Sequence, residues 1–262
     1  MKIFNYLVLI FGFILIAACS NDADNDLNNE SLTSEQVKSQ MQVNSISDGL
    51  DEMVSELLIN DKAGKSNKSN TDSACAAITF TEESMSVAYN QCIIRGKTVS
   101  GTIVLTGNNG NTEGNTGSFE VTFTDFTFNG HLLNGTKTFS FDFSDSNSPT
   151  FTVVTDATFE DANGDIIDWK GNKVLSWHLD QINAEGADVT CTGDWDITVN
   201  GIKYEFTVAE PLGANLGCAF ITTGLMQLEV GDMTASLDFG TGSCDQKGTV
   251  TYPNGETEEV SW

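Results

Sequence analysis

The fold of this chain is indicated most directly by Phe119-Glu120-Val121-Thr122-Phe123, where apolar and polar residues alternate. The same alternation returns in Phe139-Ser140-Phe141-Asp142-Phe143. A period of two places every second side chain on one face, which is typical of a strand with one buried face. After Phe123 the apolar positions resume at Phe126, one residue out of phase, so we predict a β-bulge between them, near Thr124 and Asp125.

Asn-Gly pairs separate the alternating stretches, and this dipeptide suits the positive φ angles of tight hairpin turns. From these turns and the rarity of proline, we predict an all-β domain over residues 74–262. The expected architecture is an antiparallel meander that forms a sandwich or a partly closed barrel. The pairs begin at Asn109, Asn129, Asn134, Asn163, Asn200 and Asn254.

An amphipathic helix is predicted before this domain, over residues 33–60. Thr33 or Ser34 is a suitable N-cap, and apolar residues from Val37 to Leu58 fall close to one stripe. We expect the stripe to pack on its own domain, with a partner-binding face as the alternative, and a break near residues 44–49. Residues 61–73, rich in Lys, Ser, Asn and Gly, read as a linker.

The N-terminus has the layout of a secretory signal peptide over residues 1–18, with Lys2 before an uncharged, mostly apolar run. That run is too short to span a hydrocarbon core of about 30 Å as a helix. Ile16-Ala17-Ala18-Cys19 resembles the lipobox of bacterial lipoproteins, which implies lipidation of Cys19 and anchoring in a membrane. The polar residues that follow predict a disordered tether over residues 19–32.

Composition limits the choice of partners. The chain has 12 Lys and Arg against 37 Asp and Glu, a formal net charge of −25. A nucleic-acid backbone would be repelled, so we expect no nucleic-acid partner. The acidic residues are spread along the chain, as on a solvated surface, and leave a cation or a basic protein as an acceptable partner.

The cysteines follow an internal repeat. Cys75-Ala76-Ala77-Ile78-Thr79 is echoed by Cys218-Ala219-Phe220-Ile221-Thr222, and each echo is followed by a further cysteine, Cys92 or Cys244. In an oxidising compartment the economical pairing is Cys75 with Cys92 and Cys218 with Cys244. Cys191 is left as a buried free thiol; the alternative, a catalytic nucleophile, has no histidine near it in sequence.

Catalytic motifs are scarce in this sequence. The only histidines are His131 and His178, and neither a Gly-x-Ser-x-Gly elbow nor a His-Glu-x-x-His helix occurs. Asp161, Asn163 and Asp165 match the opening of a calcium loop, but its later glycine and glutamate are missing, so a hairpin turn is the preferred interpretation. We therefore expect no cofactor and no catalytic residue, although paired acids for glycoside hydrolysis stay open.

Aromatic residues supply one further candidate. Trp169, Trp177 and Trp262 would form a sugar-stacking platform if they were exposed. The alternative is that they fill the core, as aromatic residues on alternating strands usually do.

Three segments carry a resemblance to a family of lipoproteins from flavobacteria and other Bacteroidota, which has no assigned function. The resemblance implies an outer-membrane address and a β-rich fold, with display at the cell surface as a further expectation, and it transfers no active site. The segments are Asn129-Gly130-His131-Leu132-Leu133-Asn134-Gly135-Thr136-Lys137-Thr138, Pro211-Leu212 leading to Gly217-Cys218, and Leu237-Asp238-Phe239-Gly240-Thr241-Gly242-Ser243-Cys244-Asp245.

These observations predict a non-enzymatic cell-envelope lipoprotein, anchored in the outer membrane, that binds or organises surface components. A glycan-binding surface lipoprotein associated with an importer is the alternative, and a hydrolase is the third hypothesis. The three differ in what they require: a flat apolar patch for a protein partner, exposed tryptophans for a glycan, or facing carboxylates in a cleft for an enzyme.

Overall fold

A computed structural model describes residues 32–62, 75–94, 96–107, 115–161, 164–180, 188–215, 218 and 221–261. The predicted signal peptide, Cys19 and all of the tether except Leu32 lie outside these residues. So do residues 63–73 of the predicted linker, Asn163 and Trp262.

One helix is followed by thirteen strands, and every strand pairs antiparallel with its neighbours in chain order. The helix is α1 (Ser34–Lys62), and the strands are β1 (Ala76–Phe80), β2 (Ser84–Ile94), β3 (Lys97–Gly107), β4 (Thr116–Phe128), β5 (His131–Asp142), β6 (Thr150–Glu160), β7 (Ile166–Trp177), β8 (Val189–Val199), β9 (Ile202–Ala214), β10 (Ile221–Val230), β11 (Met233–Thr241), β12 (Lys247–Thr251) and β13 (Thr257–Ser261). The predicted antiparallel meander after a helix is confirmed.

The sheet curls around α1. Helix residues contact strands from β4, through Phe128, to β13, where Glu258 accepts a hydrogen bond from Ser34. One cavity beside α1 is lined both by Ile94 of β2 and by Phe239 of β11. In a flat sheet those two strands would lie about 43 Å apart at the usual strand spacing. The sheet must therefore curl around the helix. Among the described residues β1 pairs only with β2 and β13 only with β12, so the sheet is a single open layer and not two facing ones.

Helix α1 begins with a reciprocal cap at Thr33. The Thr33 hydroxyl accepts a hydrogen bond from the Gln36 backbone N–H at 3.3 Å, and the Gln36 side-chain oxygen accepts one from the Thr33 N–H at 2.8 Å. This exchange satisfies two backbone donors at the start of the helix. Within the described residues no helix has the length and apolar character required to cross a membrane.

The expected break near residues 44–49 is wrong, because α1 runs without interruption to Lys62. The polar residues that suggested a break are buried against polar partners on the sheet, Asn44 on Trp195 and Ser47 on Lys137. At about 100° per residue, the buried positions cover roughly two thirds of the helix circumference. The helix therefore packs on its own domain, as predicted, and residues 61 and 62 belong to it instead of to the linker.

The predicted bulge lies in β4. The register between β4 and β5 shifts between Thr122 and Phe126, and Asp125 adopts a φ of 48°. On the other side of β4, Gly101 of β3 approaches so closely that an added Cβ would lie 2.1 Å from the Asp125 carbonyl oxygen. Glycine at this position is therefore required by the close approach of two backbones.

The Asn-Gly predictions have mixed outcomes. Asn129 and Asn200, each followed by glycine, form two-residue hairpin turns with φ of 52° and 51°, and Asn254 lies in the turn between β12 and β13. Asn134-Gly135 is wrong as a turn, because both residues lie inside β5. Asn109 and Asn163 lie outside the described residues.

Candidate functional site

A cavity lies between α1 and the inner face of the sheet, which we call the helix–sheet cavity. It has a volume of about 70 Å³. Its apolar walls include Leu212, Met226 and Phe239, and its polar lining includes residues of the helix. A smaller cavity of about 40 Å³ shares Asp48, Glu52, Leu212, Ala214 and Ile221 with it and continues toward Cys191. The two are adjacent parts of one groove beside the helix.

Asn44 is the buried polar residue at the wall of the helix–sheet cavity. It is 3% exposed, and its Oδ1 accepts a hydrogen bond from the Trp195 indole N–H at 2.6 Å. Because an indole N–H only donates, this contact fixes which end of the Asn44 amide is oxygen. The other end, Nδ2, is buried and has no hydrogen-bond partner in the part of the chain that the structure describes.

Two lysines are buried beside this cavity, between the helix and the sheet. Lys137 of β5 and Lys173 of β7 have side chains with 0% exposure. Lys137 donates to Asp51 and, at 3.0 Å, to the Ser47 hydroxyl, while Lys173 donates to Asp48. Two carboxylates thus balance two ammonium groups, as burial of charge requires.

Two tryptophan rings complete the surroundings of these lysines. The Lys173 Nζ lies 4.6 Å from the ring centroid of Trp169 and 4.5 Å from that of Trp195, and the Lys137 Nζ lies 5.1 Å from Trp169. A ring face attracts a cation most strongly where water is excluded. The two rings, together with Asp48 and Asp51, therefore stabilise both ammonium groups.

The two ion pairs differ in their electrostatics. For Lys137 and Asp51, both inaccessible to solvent, burial lowers the pKa of the lysine and raises that of the carboxyl group, so both shift toward their neutral forms. Burial also opposes the charge of Lys173, but the attraction of Asp48 and Asp51 outweighs it and raises the lysine pKa. The Asp48 side chain keeps 29% exposure, so the Lys173–Asp48 pair stays in contact with water.

Cys191 is free, as predicted, but it is half-buried instead of fully buried, and it lies near this cluster on β8. Burial raises the pKa of its thiol to about 12, and the nearby Lys173 only partly opposes that rise. At neutral pH the group is therefore a thiol and not the thiolate that attacks a substrate. The geometry offers no activation for the nucleophile alternative.

Both predicted disulfides are present. Cys75 pairs with Cys92 and Cys218 with Cys244, with Cα–Cα distances of 5.3 and 5.7 Å. Cys75 precedes β1 and Cys92 lies on β2, and the second bridge similarly joins the segments before β10 and after β11. Each bridge therefore closes a hairpin at its open end, which is what the internal repeat predicts.

For two of the three tryptophans the structure supports the alternative that they fill the core, and not the sugar-stacking platform. Trp169 is 0% exposed and Trp177 is 1% exposed, so neither ring face is open to a sugar. Both occupy inward positions of β7, where the alternation directs them into the core. Trp262 lies outside the described residues.

The calcium candidate lies at the turn between β6 and β7. Asp161 Oδ1 accepts a hydrogen bond from the Asp165 backbone N–H at 2.9 Å, so this carboxylate is used within the turn. No group of three His, Cys, Asp or Glu residues within the described ranges has the arrangement of a metal site. The preferred interpretation as a hairpin turn accounts for the contacts of these two residues.

A second candidate surface is the edge strand β1. Ile78 and Phe80 are 39% and 59% exposed, although they pair with Val87 and Met85 on the inward face of β2. No residue of β1 is charged. The opposite edge strand, β13, carries Glu258 and Glu259. Charged edges resist pairing with other chains, so the two edges differ in how readily they accept a new strand.

None of the buried polar and charged residues of this site was predicted from the sequence: Asn44, Asp48, Asp51, Lys137 and Lys173. For the two lysines a signal was present, because Lys137 shares its phase with Phe139 and Phe141, and Lys173 with Trp169 and Leu175. A lysine in the inward phase of a strand has to find a buried partner.

No family model, no curated protein and no solved structure matches this chain. The resemblance to a lipoprotein family stays a prediction.

Proposed function

We propose that this chain is a lipid-anchored protein of the cell envelope that binds another protein through its edge strand β1. The observation that carries this proposal is the apolar, uncharged edge of β1 at one end of an open sheet whose other edge is acidic. An edge of this kind is the template for addition of a further strand. Attachment through the Cys19 lipid and an outer-membrane address are part of the proposal, and rest on the sequence.

The hydrogen-bond pattern of β1 shows which backbone groups are available. The Thr81 N–H donates to Ser84, and the Cys75 carbonyl accepts from Asn90, so odd-numbered residues point their backbone groups at β2. In an antiparallel ladder the alternate residues point the other way. The N–H and C=O groups of Ile78 and Phe80 therefore face the free edge.

The chemistry of the partner follows from side chains around that edge. Ile78 and Phe80 require apolar partners, and Glu82 and Glu83 are exposed in the turn that follows β1. With a net charge of −25 over the whole chain, a basic partner is favoured. We expect an extended segment with apolar residues flanked by Lys or Arg.

Site-specific photocrosslinking on intact cells tests this function. A photoreactive phenylalanine analogue replaces Phe80 in one variant and Val154, which is 47% exposed on the outer face of β6, in the control. We expect one discrete protein adduct from position 80 and none from position 154. Absence of a protein adduct at position 80, or the same adducts at both positions, would contradict the proposal.

A backbone test distinguishes strand pairing from simple apolar contact. Ile78→Pro removes an N–H from the free edge and leaves the ladder with β2 intact, whereas Ile78→Val keeps that N–H. We expect the crosslinked partner to be lost with proline and retained with valine. Retention with proline would show that the partner does not add a strand to β1.

Lipid attachment is tested separately, by growing cells with an alkyne-labelled fatty acid. The chain should carry the label, and Cys19→Ser should abolish it.

The alternative function, binding of glycans, loses support because Trp169 and Trp177 are buried.

A further inference from the structure

We propose that Lys137 and Asp51 join in an intramolecular isopeptide bond after the chain has folded. The bond runs from the Lys137 Nζ to the Asp51 carboxyl carbon and fastens helix α1 covalently to β5. The newly folded chain contains the ion pair, and the bond replaces it with time. This modification lies within one chain and does not depend on a partner at the edge of β1.

The two reacting groups are in contact in the folded chain. Lys137 donates a hydrogen bond to Asp51 Oδ1, and both side chains have 0% exposure. The carboxyl carbon is one bond beyond that oxygen, close to the separation of about 3–3.5 Å from which bound groups react. The Ser47 hydroxyl, one helical turn before Asp51, accepts a second hydrogen bond from the same Nζ at 3.0 Å and helps to hold it in place.

Formation of an amide requires a neutral amine and a carboxylic acid, and the surroundings of this pair favour both forms. Burial lowers the pKa of Lys137 and raises the pKa of Asp51, so one proton transfer within the pair produces the reactants. The neighbouring pair is different, because the carboxylates of Asp48 and Asp51 raise the pKa of Lys173 and keep its amine protonated. The cluster therefore contains one pair suited to react and one that stays ionic.

The reaction is a dehydration and needs no oxidant or cofactor. The Nζ proton that Lys137 shares with Asp51 Oδ1 moves to that oxygen, and the nitrogen lone pair then attacks the carboxyl carbon. An N–C bond forms and the electrons of the C=O bond move to Oδ2. A second proton passes from nitrogen to Oδ1, the bond from carbon to Oδ1 breaks, and one water leaves a neutral amide behind.

Lys173 supplies a positive charge at the oxygen that becomes negative. Its Nζ lies 3.9 Å from Asp51 Oδ2, on which the charge of the intermediate develops. A fixed cation at such a position stabilises the intermediate most strongly where water is excluded. Here water is excluded by the rings of Trp169 and Trp195, whose centroids lie 4.6 and 4.5 Å from the same Nζ. The dry surroundings also protect the finished amide from hydrolysis.

Peptide mapping of the full chain by mass spectrometry tests the bond. The chain is purified from cells in detergent, stored for several days at neutral pH, denatured, reduced and digested with trypsin. Because trypsin does not cleave after an acylated lysine, we expect residues 39–62 to be linked to residues 98–170. The linked species should have the summed mass of the two peptides less one water, and fragmentation should place the link between Asp51 and Lys137.

A matched pair of variants tests which lysine reacts. Lys137→Met removes the proposed amine, and Lys247→Met makes the same change at a half-exposed lysine that contacts Glu259 at 2.7 Å. The linked peptide should be absent from the first variant and unchanged in the second. If Lys137→Met does not fold, the peptide map of the wild-type chain still decides.

A third variant tests the contribution of Lys173. Lys173→Gln removes the positive charge beside Asp51 Oδ2 and leaves both reacting groups in the chain. After equal storage, the linked fraction of the folded variant should be at least about tenfold lower than that of the wild type. An unchanged linked fraction would overturn the part assigned to Lys173.

Three results would overturn the bond itself. The first is a stored wild-type chain in which residues 39–62 and 98–137 are recovered as separate peptides of full mass. The second is loss of one water from residues 39–62 without a link, which would indicate a cyclic imide at Asp48-Gly49. The third is a link at Lys247 as well as at Lys137, which would mean that condensation during handling joins any lysine to a neighbouring carboxylate.

Discussion

The buried Lys137–Asp51 pair leads to the sharpest prediction about stability. Both side chains are fully buried and in contact, so removing one partner leaves the other uncompensated. Such a change costs about 3–5 kcal/mol of unfolding free energy. We expect about 3 kcal/mol for Lys137→Met, because Lys173 stays 3.9 Å from the Asp51 carboxylate. For Asp51→Asn we expect about 4 kcal/mol, because Lys173 then only repels Lys137.

The double variant should lose much less than the two single changes together. Once both charges are gone, Lys173 and Asp48 still balance each other, and no isolated charge is buried. Urea unfolding of the four chains gives the coupling free energy, which we expect to be at least about 2 kcal/mol. The control is the exposed pair Lys247–Glu259, at 2.7 Å, whose removal should cost less than about 1 kcal/mol.

The result that would refute this reasoning is additivity. If Lys137→Met and Asp51→Asn add within about 0.5 kcal/mol, the two groups do not depend on each other for their charge. Large but additive losses would mean that packing against the helix, and not the ion pair, sets the cost of each substitution.

Three further predictions concern other parts of the molecule. Burial raises the pKa of Glu56 to about 7 from 4.5, so the folded state holds this proton more tightly than the unfolded chain, and stability should fall between pH 4.5 and 7. Glu56→Gln should be more stable than the wild type by about 3 kcal/mol at pH 8 and equal to it near pH 4, measured by urea unfolding. Gly101 and Gly130 have nearly equal φ, 90° and 88°, but only Gly101 meets neighbouring backbone. Thermal unfolding should therefore show Gly101→Ala to be about 2 kcal/mol more destabilising than Gly130→Ala, and equal losses would exclude the close approach as the cause. Because the pKa of the Cys191 thiol is raised to about 12, iodoacetamide at pH 7.5 should label it roughly a thousandfold more slowly in the folded chain than in urea; comparable rates would contradict the raised pKa.

The sequence contains enough to predict the strands, their order and both disulfides, because these features depend on local patterns. Alternation of apolar residues identifies β4 and β5, and the slip after Phe123 identifies the bulge at Asp125. The same alternation places Trp169 in the core, which was the alternative to the sugar-stacking platform. Local patterns were enough to predict a contact wherever a residue pairs with a residue on the next strand of the chain.

The candidate sites were not predictable in the same way, because they join residues that are far apart in the chain. Asp51 and Lys137 are 86 residues apart, and Asn44 and Trp195 are 151 apart. The curvature that brings strands as far apart as β4 and β13 onto one helix is a property of the whole sheet, and no single strand encodes it. The polar residues near Asn44 suggested a break in the helix because their hydrogen-bond partners on the sheet could not be identified from the sequence.

The contrast between the two edges of the sheet also limits how large an assembly can grow. A chain with two adhesive edges can join head to tail without end, which produces filaments. Here Glu258 and Glu259 discourage addition at β13, so each molecule offers a single adhesive edge at β1. Any complex built through that edge ends after one partner, whether the partner is a different protein or a second copy related by a two-fold axis. If the chain is anchored in a membrane as proposed, such a stop prevents neighbouring copies from growing into open-ended aggregates.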